Sequence, residues 1–136
     1  MYKKIIVPVD PAALDKGEKV LRKAASLLDA GGEIVLLTIV EDLPGYLAID
    51  VPVDLIEGAI REAKAQLVSL KEKTAIAARI EIRSGAPARE ILAAAEDHAA
   101  DLIIVASHVP DYSNYFIGAT ADRVVRHSKV SVLVDR

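Results

Sequence analysis

The chain has 136 residues, with 17 Lys and Arg against 20 Asp and Glu for a net charge of −3, 52% apolar residues and no cysteine. That length suits one domain, residues 1–136, with a core of its own, and the composition is that of a globular chain. The charge excludes a broad basic surface for nucleic acid, and the missing cysteine excludes disulfides, thiolate metal sites and a cysteine nucleophile.

Met1-Tyr2-Lys3-Lys4 runs straight into a short strand. The apolar run is too brief for a leader or a membrane span, so a cytoplasmic location is expected. Ile5-Ile6-Val7 is a β-branched run of the kind covered on both faces in a parallel sheet. Pro8 belongs at its end, since proline donates nothing to a ladder, and Asp10-Pro11 turns the chain. A helix follows over about 14–30, with Val20, Leu21, Ala24, Leu27 and Leu28 on one face and Gly31-Gly32 as its stop. Glu18 and Arg22 are spaced to pair on another face. The second strand is Glu33–Val40.

Glu41–Val53 is long for a strand-to-helix connection. Its apolar residues (Tyr46, Leu47, Ile49, Val51) suit a lid or flap folded onto the body. A long helix then spans about 54–73, capped by Asp54, with a stripe of Ile56, Ala59, Ile60, Ala63, Leu67 and Leu70. Ala75–Arg83 alternates Ile76, Ala78, Ile80 and Ile82 against Ala77, Arg79, Glu81 and Arg83, the pattern of an edge strand with one side near water. Ser84-Gly85-Ala86-Pro87 is a turn, with Pro87 opening a helix that runs to about Ala99. Leu102–Val105, Thr120–His127 and Val130–Val134 complete the chain as strand, helix and strand.

Strands and helices alternate throughout. The fold class is therefore α/β: one doubly wound, Rossmann-like parallel five-stranded sheet with helices on both faces. The edge character of the third strand gives the order 3-2-1-4-5. Winding reverses between strands one and four, and ligands bind at the carboxyl ends of strands at such a switch point. Pro8-Val9-Asp10 and Ala106-Ser107-His108 lie there. Gly118-Ala119-Thr120 opens a helix nearby, offering free N–H groups and the positive end of its dipole to an anion.

Asp10 suits a ribose hydroxyl, a purine amine or a metal-bound water, and equally a helix cap. Gly118 suits close approach to a phosphate, or simply the turn. Ser107 and His108 are adjacent, so they point to opposite sides of an extended segment and make a poor nucleophile pair. His108 is better read as a phosphate or base contact. His127 sits where a helix C-terminus favours a donor, and His98 reads as a surface residue. No two histidines are four apart, so no metal site is signalled. Tyr112 and Tyr115 could stack on a base or pack against the lid. There is no P-loop and no dinucleotide fingerprint, since Gly31-Gly32 ends a helix. Without a general base or a lysine on the phosphates, any ATP hydrolysis or phosphotransfer would be slow at most, and whether the chain is an enzyme at all stays open.

The stretches YKKIIVPVD, LLTIVEDLPGY, EAKAQL, SGAPAREIL and ASHVPD…GATADRVVRHSKVSVLVDR together resemble the universal stress protein family, closest to its F-type, ATP-binding branch. The resemblance covers the whole chain. It implies a regulatory adenine-nucleotide binding module, with ATP, with or without Mg2+, as the ligand. The family pattern has G-x-x-G followed after nine residues by G-S or G-T. Here Ala106 and Val109 stand at the first two positions, eight residues precede Gly118, and Ala119 follows. Val109 stands where the branch carries an arginine near the phosphates. By this resemblance Pro8, Val9, Asp10 and Val40 frame the adenine and ribose, and Ala106, His108, Val109, Gly118, Ala119 and Thr120 frame the phosphates. It also implies a homodimer through the fifth strand, where Asp135 stands in place of an apolar residue and would approach its copy. The alternative reading is a dimeric stress-response interaction protein whose pocket is vestigial.

Overall fold

The computed structural model describes residues 1–41, 52–107 and 118–136. The expected lid, apart from its ends, and His108, Val109, Tyr112 and Tyr115 lie outside the described residues. The elements are β1 (Tyr2–Pro8), α1 (Leu14–Leu27), β2 (Leu28–Val40), α2 (Val53–Thr74), β3 (Arg79–Ser84), α3 (Pro87–Asp97), β4 (Leu102–Ala106), α4 (Ala119–His127) and β5 (Ser131–Asp135), with a 3-10 turn at Pro11–Ala13. The strands form one sheet in the order β3-β2-β1-β4-β5, parallel at every pairing. This is the doubly wound order expected from the sequence.

Alternation along the strands sends residues to two cores. On one face Ile5, Val7, Ile34, Leu36, Leu102 and Ile104 pack under Val20, Leu21 and Ala24 of α1 and Leu67 and Leu70 of α2. On the other, Ile6, Val35, Leu37, Ile103 and Val105 pack under Ile91, Ala94 and Ala95 of α3 and Ala121 and Val124 of α4. Burial of this kind is worth roughly 1.5–3 kcal/mol per large side chain and outweighs local propensity.

Several boundaries differ from the sequence reading. Helix α1 stops at Leu27, because Leu28 turns extended and pairs with Tyr2. The register then jumps, with Lys4 opposite Glu33. Gly31, at φ +80°, and Gly32 therefore sit in an irregular opening of β2 and do not cap the helix. A Cβ on Gly32 would stand 2.8 Å from the Lys3 carbonyl, so no other residue fits there. Helix α2 begins at Val53 behind Pro52, and no side chain caps it; Asp54 lies inside its first turn. Ala63, Leu67 and Leu70 of its stripe are buried, whereas Ile56 and Ala59 are exposed. The helix, 22 residues and about 33 Å long, exceeds the 6-residue strand β3 that follows it. Strand β3 starts at Arg79, because Ala75 adopts a left-handed conformation (φ 56°) and closes α2 with its N–H on the Glu72 carbonyl.

The charged side of β3 does not simply face water. Arg83 bonds Glu81 at 2.8 Å and Asp97 at 2.6 Å, and lies 3.5 Å from Glu90. His98, read from sequence as a surface residue, is 12% exposed in its side chain and meets Glu81 at 3.0 Å. Burial pushes the Glu81 carboxyl upward, but the hydrogen bonds from Arg83 and His98 outweigh it and hold it below its ordinary value. Asp135 is buried and ion-paired within its own chain to Lys23, with Lys19 at 3.7 Å.

At the opposite end of the sheet from the crevice, Asp101 ties β4 to β1. Its carboxylate accepts the N–H groups of Lys3 at 2.9 Å and Lys4 at 3.0 Å, and its own N–H returns to the Lys4 carbonyl at 3.0 Å. Desolvation raises its pKa, yet these bonds prevail and set it below the ordinary 3.8. A carboxylate depressed on folding contributes stability above its unfolded pKa and loses it as pH falls through the folded one. Asp101→Ala is expected to cost about 1 kcal/mol at neutral pH. In urea titrations at several pH values the gap to the parent should hold above pH 5 and close as pH falls below 3.8.

Candidate functional site

Beyond Ile6 the two central strands part. β1 pairs with β4 only through Ile5–Leu102 and Ile6–Ile103, while it stays with β2 as far as Pro8–Leu37. The Val9 N–H then donates to the Leu37 carbonyl at 2.7 Å, and the buried Thr38 hydroxyl donates to the Val9 carbonyl at 3.0 Å. Strand β4 instead follows β5 to Ala106–Asp135. The parting leaves a cavity of about 170 Å³ at the carboxyl ends of the strands.

Its lining comes from five elements and their connections. Pro8, Val9, Asp10 and Pro11 form one wall, Leu37, Ile39 and Glu41 a second, Pro87 and Ile91 of α3 a third, and Val105, Ala106, Thr120 and Ala121 the fourth. Among the sequence candidates, Pro8, Val9, Asp10, Ala106 and Thr120 are thus brought together. Both backbone groups of Val9 are engaged by β2, and its side chain packs in the α1-side core. A Cβ on Gly17 would stand 2.8 Å from Val9 Cγ1, so a glycine is needed there for α1 to lie this close.

Asp10 is exposed, and its Oδ1 caps the 3-10 turn by accepting the Ala12 N–H at 2.9 Å. The capping role weighed against function is therefore realised, and it holds the carboxylate at the crevice mouth. Val40 lines a neighbouring cleft on the α2 side, with Thr38, Ala59 and Gln66. Its carbonyl accepts the Gly85 N–H at 3.1 Å, which fixes the turn before α3. Gly118 stands at the N-cap of α4 with φ 91°, a conformation that favours glycine, and no side chain caps this helix. The Asp122 N–H reaches back to the Gly118 carbonyl, so the N–H groups of Ala119, Thr120 and Ala121 precede the helical ladder, with no side-chain cap on them among the described residues. Ala119 and Gly118 do not line the cavity itself.

Leu37, Ile39, Pro87 and Ile91 were not foreseen at the site. They form its apolar side, and the signal for them was present: residues 35, 37 and 39 share one face of β2, and 87 and 91 are one helical turn apart. Asp10 and Glu41 are the charged residues among those lining the cavity, and both are acidic. Among the described residues no cluster of three or more His, Asp or Glu could hold a metal, and no helix is long and apolar enough to cross a membrane.

Comparison with known proteins agrees with this architecture. Universal stress protein G of Escherichia coli O157:H7 is 32% identical over 145 aligned positions, which cover 100% of both chains. The solved structure of MJ0577 superposes with a TM-score of 0.80 at 26% identity, over 99% of this chain and 96% of that one. A universal stress protein of Archaeoglobus fulgidus, solved in complex with dAMP, shares the fold with a TM-score of 0.66 at 22% identity, over 99% and 98% of the two chains. The sequence profile of the universal stress protein family matches residues 1–136, and the chain belongs to that family.

Proposed function

We propose that the chain binds an adenine nucleotide, ATP or a close relative, in the crevice between β1 and β4, and serves as a regulatory binding module. The observation that carries this reading is the parting of β1 from β4 between the Asp10 carboxylate and the uncapped N-terminus of α4. A cavity of about 170 Å³ is below the size that encloses a whole drug-sized ligand. It suits a base between Leu37, Ile39, Pro87 and Ile91, with the remainder of the ligand lying along the mouth. Asp10 would take a ribose hydroxyl with the oxygen not used in capping. The N–H groups of Ala119, Thr120 and Ala121, at the positive end of the α4 dipole, would take phosphate oxygens. The dAMP complex of a protein with the same fold supports this choice of ligand class.

Titration calorimetry on protein stripped of carried-over nucleotide tests the reading. Saturable binding of ATP with Mg2+, tighter than AMP, is expected. Asp10→Ala should weaken both by roughly tenfold, the worth of one charged hydrogen bond, while circular dichroism shows the fold intact. Unchanged affinity in that variant removes Asp10 from the site, and no binding by the parent leaves the interaction-protein alternative.

A homodimer through β5 forms part of the proposal. β5 is a sheet edge whose Val132 and Val134 pack on the α3-side core and whose Leu133 packs on the other. Asp135, the residue that would oppose its copy, is instead drawn inward by Lys23. The outer edge of β5 therefore offers main-chain groups without a repelling carboxylate. Sedimentation equilibrium at micromolar concentration should give twice the chain mass; a monomer at that concentration rules the dimer out.

A further inference from the structure

We propose that Lys16 is a binding residue for the first phosphate of the ligand, and that the crevice therefore selects nucleotides over nucleosides. This rests on the nucleotide reading above and names a residue that neither the motif nor the cavity lining contains.

A phosphate needs compensating charge beyond the partial charge of a helix dipole, and the side chains that line the crevice do not supply it. Asp10 and Glu41, the charged residues lining the cavity, both repel an anion. The stretches that follow Glu41 and Ser107 in the sequence, residues 42–51 and 108–117, contain neither Lys nor Arg. A cation must come from elsewhere in the fold.

Lys16 is in the first turn of α1, directly after the Asp10 turn. Its side chain is half-buried and crosses to the end of β4, where Nζ donates to the Ser107 carbonyl at 3.0 Å. Ser107 is the next residue after Ala106 of the cavity wall. The ammonium is thus held just beyond the tip of β4, one of the two strands whose parting makes the crevice. One of its three N–H donors serves Ser107, and no carboxylate among the described residues pairs with it. Its neighbours one and two turns along α1 differ in this respect: Lys19 and Lys23 both lie by the buried Asp135 carboxylate. A half-buried ammonium with spare donors and no carboxylate partner among the described residues is a fitting contact for an anion. The phosphate joined to the ribose stays next to the Asp10 turn, and Lys16 follows that turn at the start of α1, so the first phosphate, not the last, is the one assigned to Lys16.

The test is calorimetry with adenosine and AMP on the parent, Lys16→Gln and Lys16→Arg. The parent should bind AMP about tenfold or more tightly than adenosine. Lys16→Gln should lose that preference while adenosine affinity stays within about twofold, and Lys16→Arg should keep most of it. Adenosine binding reports on the integrity of the pocket in each variant. If Lys16→Gln retains the AMP preference, Lys16 serves only to brace Ser107 and the inference falls while the nucleotide reading stands. If the parent binds adenosine and AMP equally, the inference likewise falls. If the parent binds neither of these nor ATP, the nucleotide reading itself has failed, and the inference with it.

Discussion

Two hydrogen bonds at Val9 decide where the crevice is. Because its N–H is taken by Leu37 and its carbonyl by the Thr38 hydroxyl, the chain leaving β1 cannot follow β4. It stays with β2 for three residues after its last pairing with β4 at Ile6. The buried threonine matters because its hydroxyl donates to the Val9 carbonyl just beyond the last β1–β2 pairing, at Pro8–Leu37, and so satisfies that acceptor. Asp10 is then carried to the mouth, and the turn at Pro11–Ala13 sets α1 down so closely that Gly17 must lack a side chain. The cavity is a consequence of strand pairing, and its walls follow from which strand each residue was forced to keep.

Electrostatics divides along α1. Lys19 and Lys23 neutralise the carboxylate at the end of β5, while Lys16 spends its charge on a carbonyl at the end of β4. Three lysines on one helix thus serve two strand ends, and the pattern joins the sheet's edge to its centre on the α1 face. Among the described residues the other face shows no such lysine stripe. There α3 and α4 pack by small residues, Ala88, Ala94, Ala95 and Ala121, which let the helices lie close to the strands.

The strand order was legible because hydrophobic periodicity and alternation are local properties, and the third strand announced its place at the edge through Arg79, Glu81 and Arg83. Boundaries were less legible where two signals overlapped. Leu27 and Leu28 continue the apolar face of α1, yet Leu28 belongs to β2, since pairing with Tyr2 outweighs one more helical residue. Long-range ion pairs left no local trace. Asp135 meets Lys23 across 112 positions and His98 meets Glu81 across 17, so neither could be read from spacing. At the site, the strand-end residues Pro8, Asp10 and Ala106 were found because topology alone puts them there. Ile39, Pro87 and Ile91 were passed over because they look like ordinary core until the parting of β1 and β4 leaves a gap beside them.

The Arg83 cluster has a consequence for how the molecule responds to heat. β3 and α3 are joined at this edge by one guanidinium among three carboxylates, with His98 closing the ring on Glu81. The hydration that such charges give up on pairing becomes less favourable as temperature rises, whereas the gain per unit of apolar area levels off. Warming therefore favours the charged seam relative to the apolar layers around it. The helix that walls the crevice on one side is anchored by the part of the structure whose grip tightens in relative terms as the rest loosens.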